Sequence, residues 1–172
     1  MSTRTTRRSF IARTGMISAG ITLGVNPLSS ASYNRIKGAN EKIRVGFIGV
    51  GNRGTQLLNI FMDQPDVEIA ALCDVYEPYI NRDRSKVDPR YIKNMPGQIP
   101  EMGETFPNKV ERYSDYRKLL ENKNIDAVCI ATPDHWHAIM TIDAVNAGKD
   151  VYIEKPLSKT IHEGRAMVNA GK

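Results

Sequence analysis

Cysteine and long apolar runs are both scarce in this chain. Two cysteines, Cys73 and Cys129, occur among its 172 residues. Neither stands at the spacing of a metal site, so we predict no bound metal. Each thiol closes an apolar run, which favours burial in a layer of strands. A disulfide between them would require Cα atoms within about 7 Å of each other, and the sequence leaves that distance open.

Acidic residues are absent from residues 1–31, which carry four arginines: Arg4, Arg7, Arg8 and Arg13. Without these four, 20 of the 24 basic residues remain against 19 acidic ones, so residues 32–172 have a net charge of +1. Residues 1–31, called the leader below, therefore carry four of the five net positive charges. We expect no basic surface for nucleic acid or for an anionic membrane on the rest of the chain.

The first 31 residues resemble a twin-arginine export signal. Residues 6–11 read Thr-Arg-Arg-Ser-Phe-Ile, residues 15–25 are mildly apolar, and residues 29–31 are small. The apolar stretch is too short for a membrane anchor, because eleven residues at about 1.5 Å each cross only about half of a ~30 Å hydrocarbon core. We predict a removable signal, a polar linker over residues 32–41 and a periplasmic protein. A disordered basic tail is the alternative.

A glycine pattern follows the first apolar run after the leader. Residues 43–48 have the composition of a buried strand, and the next six residues read Gly-Val-Gly-Asn-Arg-Gly. Gly49 permits a tight turn from strand to helix, Gly51 lets the backbone approach a diphosphate, and Gly54 lets the helix pack closely on the strand. Because a helix N-terminus favours an anion, this pattern predicts a dinucleotide-binding βαβ unit.

An acidic residue, Asp74, stands twenty residues after the last glycine of that pattern. Its carboxylate can accept hydrogen bonds from both hydroxyls of an adenosine ribose. A 2′-phosphate would be repelled there by about 4 kcal/mol per pair of unit charges near 4 Å. No arginine directly follows the acid to offset this repulsion, although Arg53 could swing toward the site. We therefore predict NAD as the cofactor, with NADP less favoured.

Strand and helix patterns alternate along residues 42–172, which predicts a doubly wound α/β domain of the Rossmann type with a parallel sheet. The predicted strands are 43–48, 67–73, about 110–113, 125–130 and 151–153. The predicted helices are about 53–62, 116–121, 137–147 and 161–170, and the last has a capping box at Thr160 and Glu163. Residues 81–108 are rich in proline and charge, so we predict an insertion with little regular structure beyond a short helix near residues 79–84.

The predicted sheet has fewer than the usual six strands of a complete dinucleotide-binding fold. We therefore expect the sheet to be incomplete at its carboxyl end and the chain to be the amino-terminal part of a longer protein. A second α/β domain would then be missing from this chain, and these residues alone would be inactive.

Three sequence blocks resemble the Gfo/Idh/MocA family of sugar oxidoreductases. The first is residues 46–54, the second is Ala-Thr-Pro-Asp-His-Trp-His-Ala at 131–138, and the third is Gly-Lys-Asp-Val-Tyr-Ile-Glu-Lys-Pro-Leu at 148–157. The resemblance implies a two-domain enzyme in which this half binds NAD(P). A carboxy-terminal α/β domain would complete the sugar pocket and could also mediate homo-oligomerisation.

The same resemblance implies roles for individual residues. Thr132 and Pro133 would lie near the nicotinamide ribose, and Lys155 would be the catalytic residue that meets the reacting hydroxyl of the substrate. The bond from Lys155 to Pro156 would be cis. The predicted cofactor-binding set is Gly49, Gly51, Asn52, Arg53, Gly54, Asp74, Thr132, Pro133, His137 and Glu154.

The sequence is compatible with three functions. The first is NAD(P)-dependent hydride transfer to or from a hydroxyl carbon of a sugar, sugar acid or cyclitol. The second is a glycosidase that uses NAD without net redox change, and the retained lysine at position 155 favours the dehydrogenase over it. The third is a non-catalytic nucleotide-binding module.

Overall fold

The computed structural model describes residues 42–172, and the predicted signal and linker, residues 1–41, lie outside this range. The strands are β1 (Ile43–Ile48), β2 (Val67–Cys73), β3 (Glu111–Tyr113), β4 (Ala127–Ile130) and β5 (Asp150–Ile153). The helices are α1 (Asn52–Met62), α2 (Glu77–Asn81), α3 (Pro89–Asn94), α4 (Tyr116–Glu121), α5 (His137–Asn146) and α6 (Ile161–Ala170). Single 3-10 turns lie at Arg84–Lys86 and Asp134–Trp136.

The five strands form one parallel sheet in the order β3-β2-β1-β4-β5. The chain builds outward from β1 through β2 to β3, and then returns to the other side of β1 for β4 and β5. The strand order therefore reverses between β1 and β4. In open α/β sheets ligands bind at this point, beyond the carboxyl ends of the strands. The predicted fold class is confirmed.

Successive side chains of each strand point to opposite faces of the sheet. Because both faces carry apolar side chains, helices cover both. Val45 and Phe47 of β1 point to the cluster that contains Leu57 and Leu58 of α1. Ile48 belongs to the opposite cluster, which contains side chains of α4 and α5. The central strands are buried on both sides, which explains their nearly continuous apolar sequence.

Capping residues that can be identified in the sequence mark the start of α6 and the end of α5. The Thr160 side chain accepts from the Glu163 amide and the Glu163 side chain accepts from the Thr160 amide, so the predicted capping box is present. Gly148 has a φ of 73° just after α5, the left-handed conformation with which helices commonly end.

Residues 81–108 contain one helix that the sequence analysis did not predict. Helix α3 begins at Pro89, and the Asp88 side chain caps it by accepting from the Arg90 amide. Proline is compatible with the first turn of a helix, because the amide it lacks would have no partner there. The prediction of little regular structure was therefore wrong here, because Pro89 begins a helix instead of breaking one. The helix predicted near residues 79–84 is present but lies earlier, at Glu77–Asn81.

Both cysteines are buried, as expected, and both are free. Burial raises the pKa of the Cys73 thiol to about 12, with a further contribution from the charge of Asp74. Burial likewise raises the pKa of Cys129 to about 12. Within residues 42–172, no group of three or more His, Cys, Asp or Glu side chains is placed to hold a metal ion. None of the helices in that range has the length and apolarity needed to cross a membrane.

Candidate dinucleotide-binding site

A cleft of about 700 Å³ lies at the carboxyl ends of the central strands, where the strand order reverses. Five of the predicted site residues line it: Gly49, Gly51, Asp74, Thr132 and Pro133. They come from three separate parts of the chain. The fold therefore brings together the predicted residues that follow β1, β2 and β4.

The glycine loop has three positions with different steric demands. Gly49 has a φ of 85°, and a Cβ there would lie 2.9 Å from the Ala131 carbonyl carbon. A Cβ on Gly54 would lie 1.9 Å from the Gly49 carbonyl oxygen, so only glycine lets α1 sit this close to the loop. A Cβ on Gly51 would instead meet its first neighbour, the Tyr79 ring, at 3.6 Å. The space in front of Gly51 is thus open toward the cleft, as a bound diphosphate requires.

The Asp74 carboxylate is oriented by two backbone amides. Its Oδ2 accepts from the Val50 amide at 2.9 Å, and its Oδ1 accepts from the Tyr76 amide at 3.0 Å. A carboxylate has about four acceptor positions, so the two oxygens can still accept from ribose hydroxyls. Val75 beside it is 94% exposed, which leaves this end of the cleft accessible.

One part of the cleft wall was not predicted from the sequence. Residues Ser114, Asp115, Tyr116 and Arg117 line the cleft directly after β3. The Arg117 guanidinium lies 4.6 Å from the centre of the Tyr116 ring. These residues come next to Asp74 because β3 pairs with β2. The signal that could have found them is the polar Ser-Asp pair at the end of a strand.

Arg53 and Glu154 form an ion pair that joins the glycine loop to the end of β5. Arg53 Nη2 donates to Glu154 Oε1 at 2.7 Å, and Glu154 Oε2 accepts from the Lys155 amide at 3.2 Å. The hydrogen bond from Arg53, opposed by burial, holds the pKa of the Glu154 carboxyl below its ordinary value. The structure thus places Arg53 against Glu154 instead of beside Asp74.

His137 links two loops from a buried position. Its side chain is 1% exposed, its Nε2 lies 2.8 Å from the Thr132 carbonyl oxygen, and its Nδ1 lies 2.6 Å from the Pro156 carbonyl oxygen. A neutral ring can donate to one of these oxygens and a doubly protonated ring to both. Both ring nitrogens therefore face carbonyl oxygens of the protein, and the predicted cofactor contact of His137 stays a prediction. We conclude that His137 positions the loops on either side of it.

Lys155 follows Glu154 at the carboxyl end of β5 and is exposed. The predicted cis bond between Lys155 and Pro156 is present. Lys155 does not line the cleft, but two connections relate it to the cleft. One is the ion pair between its neighbour Glu154 and Arg53. The other is the hydrogen bond between His137 Nδ1 and the Pro156 carbonyl oxygen.

Comparisons with known proteins agree with this geometry. Residues 43–172 match the sequence profile of the Gfo/Idh/MocA oxidoreductases, described as an oxidoreductase family with an NAD-binding Rossmann fold. A glycosyl hydrolase family 109 protein 1 from Shewanella sp. (strain ANA-3) is 33% identical over an alignment of 179 residues that covers 96% of this chain and 37% of that protein. An alpha-N-acetylgalactosaminidase from Shewanella oneidensis is 33% identical over 170 residues, covering 91% of this chain and 35% of that protein.

A solved structure has the same fold. The crystal structure of a myo-inositol 2-dehydrogenase from Lactobacillus plantarum has a TM-score of 0.55 and 27% identity, over 76% of this chain and 33% of that one. The chain thus spans about a third of the length of the proteins it matches. It belongs to the Gfo/Idh/MocA oxidoreductase family, and residues 43–172 are the NAD(P)-binding Rossmann domain of that family.

Proposed function

We propose that the full-length protein is an oxidoreductase that transfers hydride between NAD and a hydroxyl carbon of a sugar, sugar acid or cyclitol. The observation that carries this proposal is the shared edge of the sheet. The diphosphate loop, Asp74, Thr132 and Lys155 all follow the carboxyl ends of parallel strands. The nicotinamide would supply the hydride acceptor or donor, and Lys155 would supply the polar group beside it.

The residues of this chain would divide the work as follows. Amides at the start of α1 would bind the diphosphate, and Asp74 would accept from the ribose hydroxyls. The exposed Lys155 ammonium would orient the substrate hydroxyl and stabilise the negative charge that develops on its oxygen during hydride transfer. The ion pair of Arg53 with Glu154 would keep the backbone of Lys155 next to the glycine loop.

The first test is Lys155→Ala in the full-length protein, assayed with a panel of polyols and sugar acids. We expect turnover to fall by about a hundredfold or more, while the dissociation constant for NADH changes little. Lys159→Ala is the matched control, because this lysine is also exposed and lies four residues away. A parallel loss of turnover and NADH affinity would instead assign Lys155 to cofactor binding.

The preference for NAD over NADP is part of the same proposal and rests on Asp74. Asp74→Asn removes the charge while keeping one oxygen that can accept from the Val50 or Tyr76 amide. The affinity for NADPH should then rise relative to that for NADH, because repulsion of about 4 kcal/mol per charge pair is removed. Titration of both nucleotides against the wild type and the variant measures this ratio. An unchanged ratio would show that Asp74 does not select the cofactor.

A redox-neutral glycosidase is the second candidate, because relatives 33% identical to this chain have glycosidase names. It would retain NAD through the catalytic cycle and release an aglycone without net NADH. Incubating the full-length protein with a p-nitrophenyl α-N-acetylgalactosaminide separates the two activities. Release of nitrophenol with no net reduction of NAD favours the glycosidase. NADH production from a free polyol favours the dehydrogenase.

We also propose that the protein is exported by the twin-arginine route, on the basis of the arginine pair at residues 7 and 8. This pathway carries folded cargo, which suits a protein that must bind a cytoplasmic nucleotide before export. Replacing both arginines with lysine should retain the protein in the cytoplasm, as measured by fractionation. Export of the lysine variant at the wild-type level would refute the proposal.

A further inference from the structure

A buried arginine in the segment between β2 and β3 contacts the glycine loop. Arg82 follows α2, its side chain is 3% exposed, and it has a φ of 56°. This left-handed conformation is uncommon for a residue with a Cβ, and a buried guanidinium requires partners for its donors. Helix α2 ends at this left-handed residue, as many helices do. The burial of the guanidinium is a separate matter and depends on the partners of its donors.

The guanidinium uses its donors in three directions. Nη1 donates to the Val50 carbonyl oxygen at 2.9 Å, and Nη2 donates to Thr55 Oγ1 at 3.0 Å. Nε donates to Glu104 Oε2 at 2.8 Å, and Nη2 also contacts Glu104 Oε1. Thr55 Oγ1 in turn donates to the Val50 carbonyl at 3.1 Å. The Val50 carbonyl thus accepts two hydrogen bonds from one side.

Those hydrogen bonds determine the direction of the next amide in the loop. A peptide unit is planar and trans, so the carbonyl of Val50 and the amide of Gly51 point in opposite directions. Because Arg82 and Thr55 hold the carbonyl on their side, the Gly51 amide is directed to the other side. Gly51 itself lines the cleft. The Val50 amide is also fixed, since it donates to Asp74.

We infer that Arg82 and Glu104 form a positioning pair for diphosphate binding, by holding the Val50–Gly51 peptide with its amide toward the cleft. The inference rests on the proposed NAD site and adds to it two residues from outside the glycine motif. Arg82 does not line the cleft, and its role is exerted through the peptide. The segment between β2 and β3 thereby becomes part of the nucleotide site.

A second contact supports the same role for this segment. Asn52 Nδ2, in the glycine motif, donates to the Gly97 carbonyl at 3.2 Å. The segment therefore holds the loop at two points, one on each side of Gly51. Glu104 keeps the guanidinium in register, since its two oxygens face Nε and Nη2 as in a bidentate pair. Lysine cannot reproduce this pattern, because an ammonium lacks the planar fork.

The test uses the full-length protein and three probes, NADH, ADP and adenosine, titrated by calorimetry. For Arg82→Met we expect roughly tenfold weaker binding of ADP and NADH, with adenosine affinity within about twofold of the wild type. Arg82→Lys should recover only part of the loss. Arg90→Met is the matched control, because Arg90 lies in the same segment with its side chain 81% exposed, and it should bind all three probes normally.

Two milder variants keep the test decisive if Arg82→Met does not fold. Glu104→Gln and Thr55→Val each remove one partner of the guanidinium, and each should weaken ADP more than adenosine. Equal loss for ADP and adenosine in folded variants would overturn the inference, and so would unchanged ADP binding. A wild-type protein that binds none of the three probes would overturn the nucleotide site itself. A wild type that binds NADH, combined with an unaffected Arg82→Met, would overturn only the positioning role.

Discussion

The two ends of the cleft are built in different ways. At the diphosphate end, the backbone amide and the backbone carbonyl of Val50 both have hydrogen bonds. Close packing there also excludes a Cβ at Gly49 and Gly54. At the other end, Trp136 is 41% exposed, and the exposed Lys155 lies outside the lining of the cleft, connected to it through its neighbours. One buried histidine and one ion pair link that end to the rest of the site.

This difference separates binding from reactivity. The diphosphate end is ordered by contacts within the domain, so a nucleotide would meet amides that already point toward it. The end that carries Lys155 depends on a few links across loops. We therefore expect substitutions at the first end to alter stability or nucleotide affinity, and substitutions at the second to alter turnover. The following predictions test this division.

The largest effect should come from Gly54→Ala. A Cβ at this position lies 1.9 Å from a backbone oxygen, which cannot move as a flexible side chain could. We expect a loss of about 3 kcal/mol or more in the free energy of unfolding, at the upper end for overpacking. Urea denaturation measures it. Gly97→Ala is the control, since no atom lies within 4 Å of its added Cβ. Equal stability of the two variants would contradict the close packing described above.

His137→Leu should give the next largest effect, at the reactive end. The change removes the ring nitrogens that face the Thr132 and Pro156 carbonyls. Because Pro156 is exposed and Thr132 half-buried, we expect a cost of about 0.5–1.5 kcal/mol in the free energy of unfolding for each hydrogen bond lost. Turnover should fall because the loop after Lys155 loses an anchor, whereas the dissociation constant for NADH should change by less. Steady-state kinetics and nucleotide titration of the full-length variant give both quantities. A loss confined to NADH affinity would refute the division between the two ends.

Gly51→Ala should leave stability nearly intact and weaken nucleotide binding. Its Cβ would meet only the Tyr79 ring, at 3.6 Å, which is an ordinary contact. The methyl group would nevertheless occupy space that a diphosphate needs, so we expect roughly tenfold weaker NADH binding. Comparing the urea midpoint with the NADH affinity distinguishes this variant from Gly54→Ala. Unchanged affinity would mean that the diphosphate does not pass over Gly51.

A smaller effect is expected at acidic pH, from Glu104. Burial is the largest single influence and opposes its ionisation, but the hydrogen bond and charge of Arg82 and the backbone amides together outweigh burial and lower the pKa of this carboxyl from its ordinary value of 4.5. A lowered folded-state pKa stabilises the fold above the unfolded-state pKa, and this contribution is lost as the pH falls through the folded-state value. The urea concentration at the unfolding midpoint of the wild type should therefore decrease as the pH is lowered below 4.5. The midpoint of Glu104→Gln should depend less on pH. Parallel profiles for the two proteins would exclude this contribution.

The smallest effect concerns the two thiols, which are buried on different strands, with Cys73 also part of the cleft lining. Because the pKa values of Cys73 and Cys129 are raised to about 12, both thiols stay protonated and unreactive at pH 8. Iodoacetamide should modify neither in the native protein and both in urea, as mass spectrometry can show. Rapid native labelling of one cysteine would indicate that the structure around it opens.

Local patterns in the sequence predicted the diphosphate end well. Strand β1, helix α1 and strand β2 lie within a residue of their predicted bounds, because glycine spacing and apolar periodicity are properties of neighbouring residues. Strand β4 begins at Ala127, two residues later than predicted. Ile125 is nonetheless 2% exposed, so burial alone does not mark where strand pairing starts.

The remaining features depend on contacts between distant residues. Arg82 is 32 residues from Val50, and no periodicity marks such a pair. Helix α3 was not predicted because Pro89 was taken as a helix breaker, without regard to the capping residue Asp88 before it. His137 was placed at the cofactor from its motif, whereas its burial and its two carbonyl partners became visible only when the strands were assembled.

Trp136 gives the cleft a built-in optical reporter. It is the single tryptophan of these 172 residues, and it stands on the cleft wall beside Pro133. Indole emission from this domain therefore originates at one known location. Quenching or energy transfer on adding a reduced nicotinamide would register occupancy there, without any label.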